Sequence, residues 1–573
     1  MNIKTNLKRD MVLVFVGFIL TLTVANVPFS AVAFMLTALL ITSSKKCNPK
    51  HLVIYLGSYL ILVNITYAIP KLNEDILLSL YLLLSIITFW KLSGDFEVGK
   101  KRSILVFLSL SVYSAAHVLA SHFEKMTELI MNLVFNIGYD QVGHFAISRT
   151  LGRCGEFLFS CDPNSLNLPL NYMFYPQQWH VLFSRFINNE SILLALETYL
   201  LALLVSSLIS FYLVSQSFKH FTQDIEGIGF KKYPNVFLSK NLMLACVYML
   251  LTILTFLGYP NFVFSVALFV FAMTLNDQRN RTSYLLSSIC LIGSISMYTL
   301  FLVPGVLVFA YRTILSLAPL LLKIASTFVW LLFAFSVVTI AFEKSHVDFI
   351  AIGGGGISIV VVGTQIVLLI GFILNLAELK SKRISPANLD SELFVMNAIF
   401  LFSLLSLNAL LLYVGNSSGY YLAKFAYFSF IVGSINLFVT LSRMGVKIPT
   451  PTLTPVSILL ILALVWYLVP RIPFTSPFVN LVNIATGPTA SQKERIASVY
   501  SAARASELSG KPIILLTNNS GPDTQWANSL SGNWSAYINM FLENKIDNEI
   551  EFRDPSFQAR HKLDFDFYDS SKR

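Results

Sequence analysis

The chain has 573 residues, of which 55% are hydrophobic and 13% are charged, and 47 of them are Phe. So much apolar surface cannot be buried in the cores of water-soluble domains, which excludes an ordinary soluble protein. The formal net charge is +10. Because the basic residues cluster in short loops between apolar segments, membrane topology explains this charge, and no nucleic-acid partner is expected.

Apolar segments long enough to cross a hydrocarbon core of about 30 Å recur between residues 11 and 470. The pattern predicts an α-helical polytopic membrane protein with about 13–15 transmembrane helices. Segments 11–43 and 283–311 each fit either two short spans or one bent hairpin. The clearest spans are 103–120, 192–215, 317–341, 349–374 and 393–414.

Lysine and arginine fix the expected orientation, since basic residues in short loops resist translocation. They mark as cytoplasmic the loops around 45–50, 100–102, 380–383 and 443–447. By alternation, the outer face receives the long loop 121–191, the connection near Pro260, the stretch 416–424 and everything after about residue 471. The two large polar segments are therefore predicted to share one side of the membrane.

This division predicts two domains. Residues 1–470 form a transmembrane domain that carries the outer loop 121–191, and residues 471–573 form a small C-terminal α/β domain outside the cytoplasm. Within the second, 488–508 is rich in Ala, Glu, Lys and Arg and predicts a helix. The apolar run 513–517 predicts a buried strand.

The outer loop contains the residues with chemical potential. Residues 122–137 predict an amphipathic helix that lies on the bilayer surface. Asp140 and His144 follow, and on a predicted helix 141–152 they share one face, where such a pair can hold a proton or a metal. Alternatively, Asp140 only caps that helix. Cys154 and Cys161 in the same loop are expected to be either a disulfide or two free thiols.

A second group of residues closes the loop. Tyr175, Pro176, Trp179 and His180 precede the span 192–215. Proline favours the first turn of a helix, and the aromatic side chains are suited to the membrane interface. An aromatic belt alone would explain this group. Glu197 lies inside the following span, where an ionisable group either faces a cavity or reaches back to the interface.

Together these residues resemble a known family. Asp140-x-x-x-His144, followed by Tyr175-Pro176-x-x-Trp179-His180 before a span, is similar to the first outer loop of the GT-C superfamily of integral membrane glycosyltransferases. Tyr420-Tyr421-x-x-Lys424 resembles an element of its arabinofuranosyltransferase-like members. Two features depart from the family: about five spans precede the loop, and the acidic residue follows an amphipathic helix.

The resemblance implies an enzyme of the bacterial inner membrane with its active site on the periplasmic side. It would move a sugar from a polyprenyl-phosphate donor to an envelope glycan or an exported protein, with inversion at the sugar. D-arabinofuranose is the expected sugar, and a hexose such as mannose is the alternative. Asp140 is the expected base, with Glu156 and Asp162 as substitutes. Substrate contacts are expected from His144, Arg149, Tyr175, Trp179, His180, Glu197, Tyr420, Tyr421 and Lys424, with Lys424 on the phosphate.

Two other functions share parts of this pattern. A polymerase or ligase of the O-antigen type would use lipid-linked oligosaccharides and paired arginines, for which Arg149 and Arg153 are candidates. A transporter would show internal repeats and charged residues at mid-membrane, which the sequence lacks. No cofactor is predicted. One Asp and one His are too few ligands for a divalent metal site, so activity is expected to survive chelation.

Overall fold

A computed structural model gives the fold of a large part of the chain. It describes several positions between 244 and 255 and twelve continuous stretches: 49–68, 140–154, 178–187, 192–229, 258–275, 281–344, 359–380, 389–413, 419–443, 490–516, 520–533 and 566–569. Within these stretches, nearly all residues are helical. The coarse prediction of an α-helical protein with many apolar helices is therefore confirmed.

Thirteen helices and two strands are defined within the described residues. The helices are α1 (Pro49–Ala68), α2 (Asp140–Cys154), α3 (Gln178–Ile187), α4 (Ile192–Gly229), α5 (Pro260–Thr274), α6 (Arg281–Met297), α7 (Leu302–Leu315), α8 (Leu320–Lys344), α9 (Ile359–Lys380), α10 (Leu389–Tyr413), α11 (Gly419–Arg443), α12 (Ala490–Ser509) and α13 (Ser520–Ser531). The strands are β1 (Ile513–Leu516) and β2 (Asp566–Asp569), which pair in parallel.

Several predicted elements are confirmed as helices or strands. The predicted helix 141–152 is α2, 488–508 is α12, and the predicted strand 513–517 is β1. Segment 283–311, which fitted two alternatives, forms α6 and α7 joined by a 3-10 turn at Thr299–Phe301. Pro304 lies in the first turn of α7, where its missing N–H costs no helical hydrogen bond. Segments 11–43, 103–120 and 122–137 lie outside the described residues.

The chain divides into two compact units. Unit 1 comprises Met1–Ile209, Ile253–Pro260 and Val469–Arg573, and unit 2 comprises Ser210–Thr252 and Asn261–Leu468. In unit 1, α3 packs against both α1 and α2, and α13 packs against α2, α12 and β1. The C-terminal elements therefore belong to the same compact unit as the helix that carries Asp140 and His144. The predicted α/β domain stays a prediction.

In unit 2, α5, α10, α11 and the 3-10 turn between α6 and α7 meet around four phenylalanines. The ring of Phe269 contacts Phe301, Phe400 and Phe428 with centroids 5.3–5.8 Å apart. The last turn of α5 is closed by Arg312 of α7, which donates to the carbonyl of Ala272 at 2.5 Å and to that of Met273 at 2.9 Å. The last carbonyls of a helix have no partner inside it, so Arg312 caps α5.

A polar network lies where α9, α10 and α11 pack together. Asn375 donates to Asn436 at 3.1 Å, Thr440 donates to Asn375 at 3.1 Å, and Asn397 donates to the Leu368 carbonyl at 2.7 Å. All these side chains are buried. Buried amides and hydroxyls that pair between apolar helices stabilise their association, because separation would leave these groups unpaired in an apolar medium.

The exposed surface of unit 2 is strongly apolar. Leu321 of α8 is 79% exposed, and apolar side chains on α7, α9 and α10 are exposed as well. Water-soluble proteins seldom leave so many large apolar side chains uncovered. Among the helices that the structure describes, two segments are long and apolar enough to cross a membrane, Thr198–Phe221 in α4 and Lys424–Leu441 in α11. Both observations indicate association with a membrane, while the number of spans and the sidedness remain predictions.

Candidate functional site

The two motifs of the predicted outer loop meet directly in the structure. Nδ1 of His144 on α2 lies 2.7 Å from Nε2 of His180 on α3. The ring planes are 19° apart and their centroids are 4.9 Å apart. A nitrogen–nitrogen separation this short cannot occur between stacked faces, so the rings meet edge to edge through an N–H···N hydrogen bond. One proton is therefore shared between the two imidazoles, and the tautomers decide which ring donates.

Asp140 is the first residue of α2 and lies one helical turn before His144. The predicted i, i+4 relation on one helix is thus confirmed. A carboxylate in the first turn is also favoured by the helix dipole. The Asp140 side chain lies outside the described part of the chain, so its role as a base stays a prediction.

Helix α2 is anchored by a residue that the sequence analysis did not select. Gln141 is buried and donates from Nε2 to the carbonyl of Thr255 at 2.7 Å. Its side-chain oxygen accepts a hydrogen bond from the Tyr199 hydroxyl of α4. Two hydrogen bonds therefore fix the residue next to Asp140. The sequence does not indicate this role of Gln141, because its two hydrogen-bond partners lie about sixty and more than a hundred positions away along the chain.

Helix α13, near the C-terminus of the chain, makes two hydrogen bonds with α2. Arg149 is 1% exposed and donates to the carbonyl of Leu530, in the last turn of α13. Ser529 donates to the carbonyl of Val142 at 3.1 Å. Arg149 thus caps the C-terminus of α13, where a cation is favoured by both the orphan carbonyls and the helix dipole. Its predicted contact with substrate remains a prediction, and its described contact is structural.

Trp179 of α3 packs against aromatic side chains of α3 and α4. Its side chain is buried, and its indole N–H donates to the Ser206 hydroxyl of α4 at 2.9 Å. Its ring contacts those of Phe183, Tyr199 and His180 at centroid distances of 5.0–6.0 Å. The tryptophan therefore sets the position of His180 against α4. Contact between Trp179 and a substrate stays a prediction.

Lys424 lies in unit 2, near the start of α11. Its side chain is 6% exposed, and its ammonium lies 5.4 Å from the ring centroid of Tyr298. A cation at this distance over an aromatic face is stabilised by the ring quadrupole. Tyr298 follows α6 and was not selected from the sequence. The predicted contact of Lys424 with the donor phosphate stays a prediction.

The remaining predicted site residues are not settled by the structure. Tyr175, Pro176, Glu156, Asp162 and Cys161 lie outside the described residues, as do the side chains of Glu197, Tyr420, Tyr421, Arg153 and Cys154. The disulfide therefore stays a prediction. Among the side chains that the structure describes, no cluster of three or more metal-ligating groups occurs.

Comparisons with known proteins add no identity to this geometry. No protein-family model, no curated protein and no solved structure matches the chain.

Proposed function

We propose that this chain is an integral membrane glycosyltransferase that takes a sugar from a polyprenyl-phosphate donor. The observation that carries the proposal is the hydrogen bond between His144 and His180. It links the two motifs of the predicted outer loop, and it joins His180 to His144, which lies one helical turn after Asp140. The apolar surface of unit 2 supports a lipid-linked substrate, since both enzyme and donor would lie in the same membrane.

The chemistry requires few groups. A phosphate is a built-in leaving group, so the protein must deprotonate the acceptor hydroxyl and stabilise charge on the departing phosphate. In the proposed step, Asp140 takes the hydroxyl proton, and the oxygen attacks the anomeric carbon opposite the phosphate. The carbon–oxygen bond to the phosphate breaks, polyprenyl phosphate leaves, and the configuration inverts.

The imidazole pair is proposed to orient the substrate at this centre. Because His144 and His180 share one proton, the outward nitrogen of His144 is either a donor or an acceptor, according to which ring donates within the pair. As a donor it would bind a phosphate or sugar oxygen. Lys424 would supply a point charge to the phosphate. The expected sugar is D-arabinofuranose, the acceptor an envelope glycan or exported protein, and the location the outer face of a bacterial inner membrane with a multi-pass topology.

The test is Asp140→Asn in cells that lack the native chain, with envelope glycans and exported glycoproteins analysed by mass spectrometry. The amide keeps the shape but cannot accept the proton, so we expect transfer to fall by about 10²-fold or more. Glu507→Gln on α12 is the matched control, since this carboxylate pairs with Arg504 near the surface. Full transfer by Asp140→Asn at equal expression would remove Asp140 as the base.

A further inference from the structure

Asn261 is among the buried side chains of unit 2 that have a donor without an acceptor within the described residues. Asn261, in the first turn of α5, is 1% exposed. Its Oδ1 accepts a hydrogen bond from the Phe262 N–H at 2.9 Å. Its Nδ2 has no hydrogen-bond partner among the residues of the structure described here. An unpaired buried amide nitrogen destabilises the fold, and such groups in native proteins call for an explanation such as a bound ligand.

The surroundings of this amide are electropositive. Asn261 lies at the N-terminus of a 15-residue helix, where the helix dipole favours an anion. Phe262, the next residue, contacts the ring of Tyr298 with centroids 5.5 Å apart. The same Tyr298 ring carries the Lys424 ammonium at 5.4 Å. The residue that follows Asn261 and a lysine charge therefore border one aromatic side chain.

Other contacts join the same elements. Phe301 of the 3-10 turn contacts Phe262 at 5.8 Å and Phe428 of α11 at 4.5 Å between centroids. The first turn of α5 and the first half of α11 therefore both pack against the turn after α6. At the far end of α5, Arg312 caps the last carbonyls. The last carbonyls of α5 are therefore paired with protein groups, while Nδ2 of Asn261 in its first turn has no partner among the described residues.

We propose that Asn261, the first turn of α5 and Lys424 form a binding site for a phosphate group. The amide and the ammonium donate hydrogen bonds to phosphate oxygens, and Tyr298 with Phe262 provides the apolar floor. A phosphate fits because it offers several acceptor oxygens with negative charge, which are stabilised by both groups and by the helix dipole. The phosphate belongs either to a lipid or to free inorganic phosphate. The lipid source rests on the proposed function.

The test is direct binding to the purified full-length chain in detergent. The probes are a polyprenyl monophosphate, followed by native mass spectrometry, and inorganic phosphate as a competitor. Asn261→Asp keeps the oxygen that accepts from Phe262 but replaces the donor by an anionic oxygen. Lys424→Met keeps the aliphatic stem over Tyr298 and removes the charge. Lys323→Met on α8 is the matched control, since it removes a lysine charge from a helix outside the site.

We expect wild type and Lys323→Met to bind, and Asn261→Asp and Lys424→Met each to lose about ten- to a hundredfold in affinity. If Asn261→Asp does not elute as a folded protein, Asn261→Ser keeps a capping oxygen without the amide. Competition by inorganic phosphate assigns the site to free phosphate, and its absence assigns it to lipid phosphate. Equal binding by all variants, or no binding of either probe by wild type, would overturn the site.

Because binding is measured directly, the test of the phosphate site is independent of the test of sugar transfer. Binding with the expected variant pattern but no sugar transfer leaves the phosphate site standing and contradicts the proposed function. Sugar transfer that is unaffected by Asn261→Asp contradicts the site and leaves the proposed reaction standing, whereas transfer unaffected by Lys424→Met also removes the proposed role of Lys424 in that reaction.

Discussion

Two buried arginines solve the same problem in this molecule. Arg149 caps the last turn of α13, and Arg312 caps the last turn of α5. Away from water, a helix end must find partners for its last carbonyls within the protein. A guanidinium has five donors in a planar fork, so it can satisfy several carbonyls at once, which a lysine cannot do with the same geometry.

The cap on α5 predicts the effect of removing Arg312. In Arg312→Met, the carbonyls of Ala272 and Met273 and the Ser287 hydroxyl lose their donor. We expect a loss of about 2–4 kcal/mol and a lower melting temperature in detergent. Lys323→Met serves as the control for a lost charge on a neighbouring helix. An unchanged melting temperature for Arg312→Met would show that these hydrogen bonds contribute nothing to stability.

The imidazole pair predicts a difference between two substitutions of His180. Glutamine places an amide near the position of Nε2 and can still hydrogen-bond Nδ1 of His144, whereas phenylalanine fills the space without a polar group. Both variants should fold, because Trp179 and Phe183 keep α3 packed. We expect His180→Gln to retain more transfer activity than His180→Phe by about tenfold. Equal activities would show that the pair only packs.

Residue types alone led to part of this picture. His144 and His180 were selected because polar, titratable groups stood out in an apolar chain, and the structure joins them. Gln141 and Tyr298 were missed, since their importance comes from partners that are distant in sequence. Arg149 was selected for its charge, but its burial against α13 depends on packing that no local pattern encodes.

Helices pack closely in unit 2 where side chains are small. A Cβ added to Gly371 of α9 would lie 2.9 Å from Nδ2 of Asn436 and 3.4 Å from the Asn397 amide. A Cβ added to Gly363 of the same helix meets nothing within 4 Å. Gly371 therefore makes room for the amide network, whereas Gly363 does not.

These two glycines form a matched pair for mutation. Gly371→Ala should push the Asn436 amide away and lower stability by about 1–3 kcal/mol, because the network is buried. Gly363→Ala should be neutral or stabilising by up to about 1 kcal/mol through helix propensity. Thermal melts of both variants in detergent provide the measurement. A similar shift for both would refute a packing role specific to Gly371.

At the level of elements, the strongest sequence signals were the most reliable. The long apolar runs 192–215, 317–341, 349–374 and 393–414 lie largely in the helices α4, α8, α9 and α10, while their crossing of a membrane stays a prediction. The Pro304 region could not be assigned from sequence, because a proline fits both a kink and a first turn. The position of α13 against α2 was also beyond sequence reasoning. It depends on contacts between residues almost four hundred positions apart.

The topology of the whole molecule gives a prediction about accessibility. Leu508 of α12 is 83% exposed, and its segment is predicted to lie on the outer face. In a chain whose five native cysteines are replaced, Leu508→Cys should react with a membrane-impermeant maleimide in spheroplasts. Ser381→Cys, in the basic loop after α9, should react only after permeabilisation. The reverse pattern would invert the orientation and put the proposed outer site in the cytoplasm.

The most direct test of the proposed function is sugar transfer by the purified chain in proteoliposomes. The donors are polyprenyl-phosphate arabinofuranose and polyprenyl-phosphate mannose, each with a labelled sugar, and the acceptor is envelope material from cells that lack the chain. We predict that the label moves from the arabinofuranose donor to the acceptor with wild type, and that Asp140→Asn and Lys424→Met abolish the transfer. Label that stays on both donors in the presence of wild-type protein would contradict the glycosyltransferase.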